Sequence, residues 1–222
     1  MPDPTPITGT ENQDSLYGTS DSDLLQGLGG DDFIYGGAGD DILVGGTGND
    51  NLWGEAGNDT YRFGPGFGND YIYNQDSDPN SLDVIEFTDG LVSTQFIVRQ
   101  LGTSLVLDAG DGNTVTLYDY FGSGSAQIHE VRFSDGVVWS GATLWAQTLI
   151  PDDSDQSMFG TDGDDVLEGG GGDDRLYGNR GNDTYRFGPG FGNDYIYNQD
   201  WDYGSLDVIE FTGGLVSCQF FV

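Results

Sequence analysis

Residues 36–53 read Gly36-Gly-Ala-Gly-Asp-Asp-Ile-Leu-Val-Gly-Gly-Thr-Gly-Asn-Asp-Asn-Leu-Trp53, which is one nine-residue pattern written twice. Each repeat opens with glycines, carries an aspartate at its sixth position and has an apolar residue at its eighth. The pattern runs without insertion over residues 9–62, and a shorter array occupies residues 160–186. The sixth-position aspartates are Asp14, Asp23, Asp32, Asp41, Asp50 and Asp59, then Asp165, Asp174 and Asp183. A fixed short period of this kind is typical of a solenoid.

The residue types explain why such repeats would stack. Glycines at spacings of two or three supply turns with positive φ that other residues resist. The apolar residue lies on a strand of about three residues, which is too short to be stable alone. Stacking aligns these residues into one core and the aspartates into rows. Rows of carboxylates repel one another unless a cation lies between them, and calcium accepts roughly 6–8 oxygen ligands, including turn carbonyls.

The repeats resemble the RTX, or haemolysin-type, calcium-binding nonapeptide repeat, Gly-Gly-x-Gly-x-Asp-x-(apolar)-x. The resemblance implies an all-β fold, a parallel β-roll in which two repeats make one coil. It also implies several bound Ca²⁺ ions, each between one repeat and the second repeat after it. The ligands implied are positions two, four and six of the first repeat and positions one, three and six of the other. Only position six contributes a side chain.

Transferred to this chain, the resemblance implies four sets of ligands. In the first array, Thr19, Asp21 and Asp23 face Gly36, Ala38 and Asp41; Leu28, Gly30 and Asp32 face Gly45, Thr47 and Asp50; and Gly37, Gly39 and Asp41 face Gly54, Ala56 and Asp59. In the second array, Thr161, Gly163 and Asp165 face Gly178, Arg180 and Asp183, and the repeat between them offers Gly170, Gly172 and Asp174. Two repeats depart from the pattern, with Asn12 replacing a glycine and Gln156 replacing the aspartate. We expect weak or empty sites there.

After residue 62 the period is disturbed by insertions but continues. Asp70 and Asp83 are followed two residues later by Ile72 and Ile85, which predicts further rungs with longer loops and further calcium ligands. Their counterparts in the second array, Asp194 and Asp207, are expected to act likewise. From residue 91 the sequence alternates between polar and apolar residues, which predicts strands and hairpin turns at Asp111-Gly and Asp135-Gly. A short helix is predicted over residues 141–148.

These patterns give a domain plan and show a duplication. We expect a first RTX array with irregular final rungs over residues 9–90, a β-rich capping domain over 91–150 and a linker with a degenerate repeat over 151–159. Residues 160–222 would hold the second array and the truncated start of a second β-rich domain. Residues 57–98 recur as 181–222. We therefore expect a segment of a longer tandem protein, or its truncated end, and self-association through an uncovered edge at Phe220, Phe221 and Val222.

The composition excludes several partners. The chain has 38 acidic residues and 6 basic ones, and its formal charge of −32 disfavours nucleic acid and anionic membranes as partners. No apolar run approaches the ~20 residues that span a bilayer, so membrane insertion is not expected. The single cysteine, Cys218, cannot form an internal disulfide.

The sequence offers little that predicts catalysis. His129 is the only histidine, and metalloprotease, serine hydrolase and phosphate-loop motifs are absent. We therefore expect no enzyme but a calcium-binding structural or spacer module of a larger secreted RTX protein, such as an adhesin, surface-layer or toxin-like protein. The alternative is an accessory region of a secreted protease, lipase or epimerase whose catalytic domain lies outside this chain. The resemblance also implies bacterial type I secretion and folding outside the cell.

Overall fold

The computed structural model describes residues 6–74, 81–121, 128–161, 163–198 and 205–214. The chain forms two compact units, Met1–Leu144 and Trp145–Val222, which are described separately. Cys218 and the predicted edge at Phe220, Phe221 and Val222 lie outside the described residues. The division into four segments predicted from the sequence stays a prediction.

The N-terminal unit contains fourteen described strands in two seven-stranded sheets. The strands are β1 (Ile7–Thr8), β2 (Ser15–Tyr17), β3 (Leu24–Gly29), β4 (Phe33–Ala38), β5 (Ile42–Thr47), β6 (Asn51–Ala56), β7 (Thr60–Phe63), β8 (Asn69–Ile72), β9 (Val84–Phe87), β10 (Ile97–Leu101), β11 (Ser104–Gly110), β12 (Asn113–Leu117), β13 (Glu130–Arg132) and β14 (Val138–Ser140). A 3-10 turn covers Ser93–Gln95, and helix α1 covers Gly141–Gln147. One sheet has the order β1-β3-β5-β7-β9-β13-β14 and the other β10-β11-β12-β8-β6-β4-β2.

The repeat strands form a parallel roll. Successive strands alternate between the two sheets, so that each strand pairs with the second strand after it. Leu25 pairs with Leu43, and Ile34 pairs with Leu52, a register of 18 residues. The register lengthens where β6 meets β8, because the loop there carries the insertion, but the pairing stays parallel. The expected parallel β-roll with two repeats in each coil is confirmed.

The eighth-position residues form the core of the roll. The side chains of Leu25, Ile34, Leu43 and Leu52 are fully buried between the two sheets. Tyr61, at the same position, extends this core toward the β-rich segment. Burying one such aliphatic side chain contributes about 1.5–3 kcal/mol, so every rung adds to the stability of its neighbours.

An aromatic ladder lies on the outer face of the second sheet. The rings of Tyr17, Tyr35, Trp53 and Tyr73 stack in sequence with centroid separations of 5.0, 4.6 and 4.6 Å. Each stacked pair contributes about 0.5–1.5 kcal/mol beyond the area it buries. The ladder therefore holds neighbouring coils together from outside the core.

The β-rich segment continues both sheets of the roll. Strands β10, β11 and β12 form an antiparallel meander, and β12 pairs in parallel with β8. Strands β13 and β14 form a hairpin, and β13 pairs in parallel with β9. The predicted turn at Asp111 is present, since Asp111 and Gly112 both adopt positive φ. Buried residues such as Leu105 and Val131 join the same core, so this segment covers the last coil of the roll.

The C-terminal unit repeats the roll on a smaller scale. Its strands are β15 (Ser157–Phe159), β16 (Val166–Leu167), β17 (Arg175–Tyr177), β18 (Thr184–Phe187), β19 (Tyr195–Tyr197) and β20 (Val208–Phe211). They form two parallel sheets, β15-β17-β19 and β16-β18-β20. Met158, Leu167, Leu176 and Tyr185 are buried between these sheets. On β20, however, Ile209 is 54% exposed, whereas its counterpart Ile85 in the first unit is fully buried.

Candidate metal centre

The sixth-position aspartates lie at the corners of the coils, each immediately before a strand. The register aligns them in two rows in the N-terminal unit. The first row is Asp14, Asp32, Asp50 and Asp70, and the second row is Asp23, Asp41, Asp59 and Asp83. From the second member onward, the aspartates of both rows are buried. A buried carboxylate is costly unless hydrogen bonds or a cation compensate its charge.

From the second aspartate of each row onward, one carboxylate oxygen connects neighbouring coils. Oδ1 of Asp50 accepts a hydrogen bond from the backbone N–H of Asp32 at 2.8 Å, and Oδ1 of Asp70 accepts one from Asp50 at 2.7 Å. The second row continues through its longer loop in the same way, from Asp59 to Asp83 at 2.8 Å. The irregular rungs therefore continue the same rows of hydrogen-bonded aspartates as the regular ones. The C-terminal unit has the equivalent bonds from Gln156 to Asp174, Asp165 to Asp183, Asp174 to Asp194 and Asp183 to Asp207.

In five of the row aspartates the other carboxylate oxygen has no protein donor. Oδ2 is buried and without a hydrogen-bond partner in Asp32, Asp41, Asp50, Asp70 and Asp174. In Asp32, Asp41, Asp50 and Asp174 this oxygen points toward the first glycine of the same repeat. A Cβ atom added to Gly36 would lie 2.6 Å from Oδ2 of Asp41 and 2.7 Å from the carbonyl oxygen of Gly54. A Cβ on Gly27 would likewise collide with Oδ2 of Asp32 and the carbonyl oxygen of Gly45. The carboxylate and the carbonyl of the next coil therefore converge.

The carbonyls at positions two and four also face the next coil. A Cβ on Gly46 would collide with the carbonyl oxygen of Leu28, and one on Gly48 would collide with that of Gly30. Leu28 itself adopts a φ of 79°, a left-handed conformation that normally selects glycine. Such strain is held where the surrounding structure needs a particular carbonyl direction. The loops therefore present several oxygens to the space between one repeat and the second repeat after it.

The predicted carbonyl ligands of the regular repeats lie at the C-terminal ends of the strands and in the turns that follow them. The carbonyls of Thr47 and Ala56 each also accept one hydrogen bond, from the N–H groups of Gly30 and Gly39 at 2.9 Å. In the C-terminal unit the carbonyl of Gly163 faces Gly181, and that of Gly172 faces Gly192. The other predicted ligands at corresponding positions are Thr19, Asp21, Gly37 and Ala38, with Thr161, Gly170, Gly178 and Arg180 in the C-terminal unit.

The donor set fits calcium. Every donor is a carboxylate or carbonyl oxygen, the hard ligands that Ca²⁺ prefers, and loops of this kind tolerate its irregular geometry. Within the described part of the chain no three His, Cys, Asp or Glu side chains form a group able to hold a metal. A metal bound here would therefore take most of its ligands from the backbone. Buried carboxylate oxygens without donors are the atoms that such a cation would satisfy.

Burial makes the rows difficult to ionise without a cation. Loss of hydration raises the pKa of Asp41, Asp50 and Asp174 to about 6, and that of Asp70 to about 8. The hydrogen bond from the backbone N–H of the aspartate in the preceding coil lowers each pKa, but neighbouring carboxylates raise it again. The pKa of Asp32 is also raised, mainly by burial.

The ends of the rows differ from the interior. Oδ2 of Asp23 accepts hydrogen bonds from the N–H and hydroxyl of Thr19, at 2.6 and 2.8 Å. Thr10 and Thr161 bind Oδ2 of Asp14 and Asp165 in the same way. These threonines follow the first glycine of their repeats, a signal that the sequence displays. At the other end, Oδ2 of Asp83 accepts hydrogen bonds from Asn74 and Ser81, which the sequence analysis did not anticipate.

The comparisons identify these loops. The RTX calcium-binding nonapeptide repeat family matches the chain in four copies, at residues 8–43, 35–67, 152–185 and 159–196. This is an RTX repeat protein. RTX nonapeptide repeats bind Ca²⁺, which is therefore the cofactor of this chain. The haemolysin-type calcium binding protein related domain matches residues 105–143, most of the β-rich segment.

Two further comparisons show what the RTX chain is similar to. It is 38% identical over 102 residues to the iron-regulated protein FrpA from Neisseria meningitidis serogroup C, a match that covers 44% of this chain and 9% of that protein. The RTX chain thus spans a small part of this relative. The extracellular lipase LipA from Serratia marcescens aligns with 93% of this chain and 32% of its own, at 19% identity and a TM-score of 0.21. The strand pairing described above, and not this alignment, defines the fold.

Proposed function

We propose that this chain is a calcium-dependent structural module of a larger secreted RTX protein, which acts as a spacer between other parts of that protein. The observation that carries the proposal is the set of buried Oδ2 atoms without hydrogen-bond donors, repeated at 18-residue intervals at Asp32 and Asp50. A module built in this way gains its rigidity outside the cell, where calcium is abundant. RTX repeat proteins are typically exported by type I secretion, which supports an extracellular location.

We place the ions between one repeat and the second repeat after it. One ion would be held by the carbonyls of Leu28 and Gly30 with Asp32, and by Gly45, Thr47 and Asp50 from the next coil. The site of Asp41 and Asp59 has the same layout. Sites that begin at Asp23 and Asp165 offer the same carbonyls, but threonine already binds Oδ2 there. We expect weaker calcium binding at those two positions.

A structural role agrees with the placement of the other chemical groups. RTX repeat domains are generally structural calcium-binding modules. His129 is exposed, and its backbone N–H binds the carbonyl of Asp83 in the sheet pairing. Most of the buried acidic residues belong to the calcium rows rather than to a cleft. Within the described residues, no helix has the length and apolar character needed to cross a membrane.

Calorimetric titration with different cations tests this proposal. We expect the chain, stripped of metal, to bind several Ca²⁺ ions and to bind Mg²⁺ poorly at equal concentration. Magnesium demands octahedral geometry and gives up its waters reluctantly, whereas these loops offer mainly fixed carbonyls. Equal binding of both ions, or no calcium binding, would contradict the proposed function.

A further inference from the structure

The two rows of the N-terminal unit end in different chemical environments. Asp70 ends the first row and Asp83 ends the second, and both carboxylates are 1% exposed. Oδ2 of Asp70 has no hydrogen-bond partner. Oδ2 of Asp83 accepts one hydrogen bond from Nδ2 of Asn74 at 2.9 Å and another from Oγ of Ser81 at 3.2 Å. Oδ2 of Asp83 at the end of the second row therefore has protein donors, whereas Oδ2 of Asp70 at the end of the first row has none.

A tyrosine fixes the orientation of the Asn74 amide. The hydroxyl of Tyr61 accepts a hydrogen bond from the N–H of Gly54 at 3.0 Å, so its own proton is available for Asn74. It donates that proton to Oδ1 of Asn74 at 2.8 Å. Oδ1 is thereby held toward Tyr61, and Nδ2 is held toward Asp83. Asn74 is 2% exposed, so solvent does not compete with these bonds.

We propose that Asn74 ends the second row without calcium, because its side-chain amide occupies the position that a cation takes in the interior of the rows. The amide N–H carries partial positive charge and satisfies the buried carboxylate oxygen as a bound ion would. Asp83 then keeps its structural role, since its Oδ1 still accepts the backbone N–H of Asp59. The second row thus binds fewer ions than its number of aspartates suggests. Asp83 completes the row structurally but binds no ion of its own.

The same closure recurs in the C-terminal unit, where the sequence is duplicated. Nδ2 of Asn198 donates to Oδ2 of Asp207 at 2.7 Å. The hydroxyl of Tyr185 again accepts a hydrogen bond from the N–H of Gly178, the first glycine of its repeat, at 3.1 Å. The same hydroxyl contacts Oδ1 of Asn198 at 3.5 Å. This pair is exposed to solvent, in contrast to the buried pair of the first unit.

Counting bound calcium in matched variants of the full chain tests this inference, which rests on the proposed function. Asp70→Asn and Asp83→Asn each neutralise the last carboxylate of a row with almost no change in shape. Bound calcium is measured by equilibrium dialysis and atomic absorption, and circular dichroism in calcium verifies the β fold. We expect Asp70→Asn to bind one ion fewer than the unmodified chain and Asp83→Asn to bind the same number. Loss of one ion in Asp83→Asn would overturn the inference.

If Asp83→Asn does not fold, the exposed pair of Asn198 and Asp207 provides the test. Asp207→Asn changes a carboxylate that is only partly buried, where a neutral amide is more easily accommodated than at Asp83. If Asp207→Asn binds as many calcium ions as the unmodified chain, the result supports an asparagine amide in place of a cation at the end of the row. The loss of one ion contradicts it. Failure of the proposed function is separate, because the unmodified chain would then bind no calcium in the same dialysis.

Discussion

At the scale of single residues, the two oxygens of each row aspartate have different roles. Oδ1 joins neighbouring coils through a backbone N–H, and Oδ2 in the interior faces carbonyls of the next coil. In the ion placement proposed above, an interior carboxylate such as that of Asp41 belongs to two successive sites, whereas the first aspartate of a row belongs to one. Removing an interior aspartate should accordingly damage more calcium sites than removing a first one.

Asp41 and Asp165 allow this difference to be measured. Asp41 accepts the N–H of Asp23 through Oδ1, and its Oδ2 has no donor. Asp165 begins its row, and Thr161 already binds its Oδ2. We expect Asp41→Ala to lower the calcium stoichiometry by two ions and Asp165→Ala by one at most, measured by calorimetry. Equal losses would argue against the pairing of each repeat with the second one after it.

At the scale of strands and loops, the strict nine-residue period predicted much of the fold. It placed Leu25 opposite Leu43 and Ile34 opposite Leu52, because any other register would expose these side chains. The hairpin turn at Asp111 was also predictable, since its residue types favour positive φ at both central positions. The sequence did not predict that Thr19 and Asn74 would bind row carboxylates. Those contacts depend on how the loops fold back, and no periodic position marks Asn74.

The rows also give the calcium-free chain a defined pH dependence. Burial raises the pKa of Asp50 to about 6 and that of Asp70 to about 8, against about 3.9 for an unfolded aspartate. The folded chain therefore binds more protons than the unfolded chain between these values. Its stability without calcium should increase as pH falls from about 8 to about 4, with no further gain from these groups below that.

Calcium should reverse the sign of this dependence, because the ion binds the ionised carboxylates and protons compete with it. The β signal of resin-stripped protein in circular dichroism should thus be stronger at pH 5 than at pH 8. In limiting calcium the urea midpoint should be lower at pH 5 than at pH 8. A β signal in stripped protein that weakens as pH falls would show that the row carboxylates do not control stability.

At the scale of the whole molecule, strand β20 is an exposed apolar surface. Val208, Ile209 and Phe211 are 50%, 54% and 41% exposed, although Ile209 stands in register with the buried Tyr185. An uncovered strand of this kind favours pairing with another chain. We expect concentration-dependent self-association by multi-angle light scattering, which Ile209→Thr should reduce. Leu101→Thr is the control, because Leu101 is also exposed but lies on a paired hairpin. A monomer at every concentration would contradict this expectation.

The central claim is that calcium drives folding of the entire chain. Without the ion, a formal charge of −32 and buried carboxylate rows oppose the compact state, whereas each bound Ca²⁺ adds two positive charges. Binding free energy then acts as folding free energy.

Small-angle scattering combined with circular dichroism tests this claim most directly, in excess chelator and in millimolar calcium at neutral pH. In chelator we predict a chain without β signal and with a radius of gyration of about 50 Å, the value for an unfolded chain of this length. In calcium we predict a compact β protein. The same β spectrum and the same dimensions in both solutions would contradict the account.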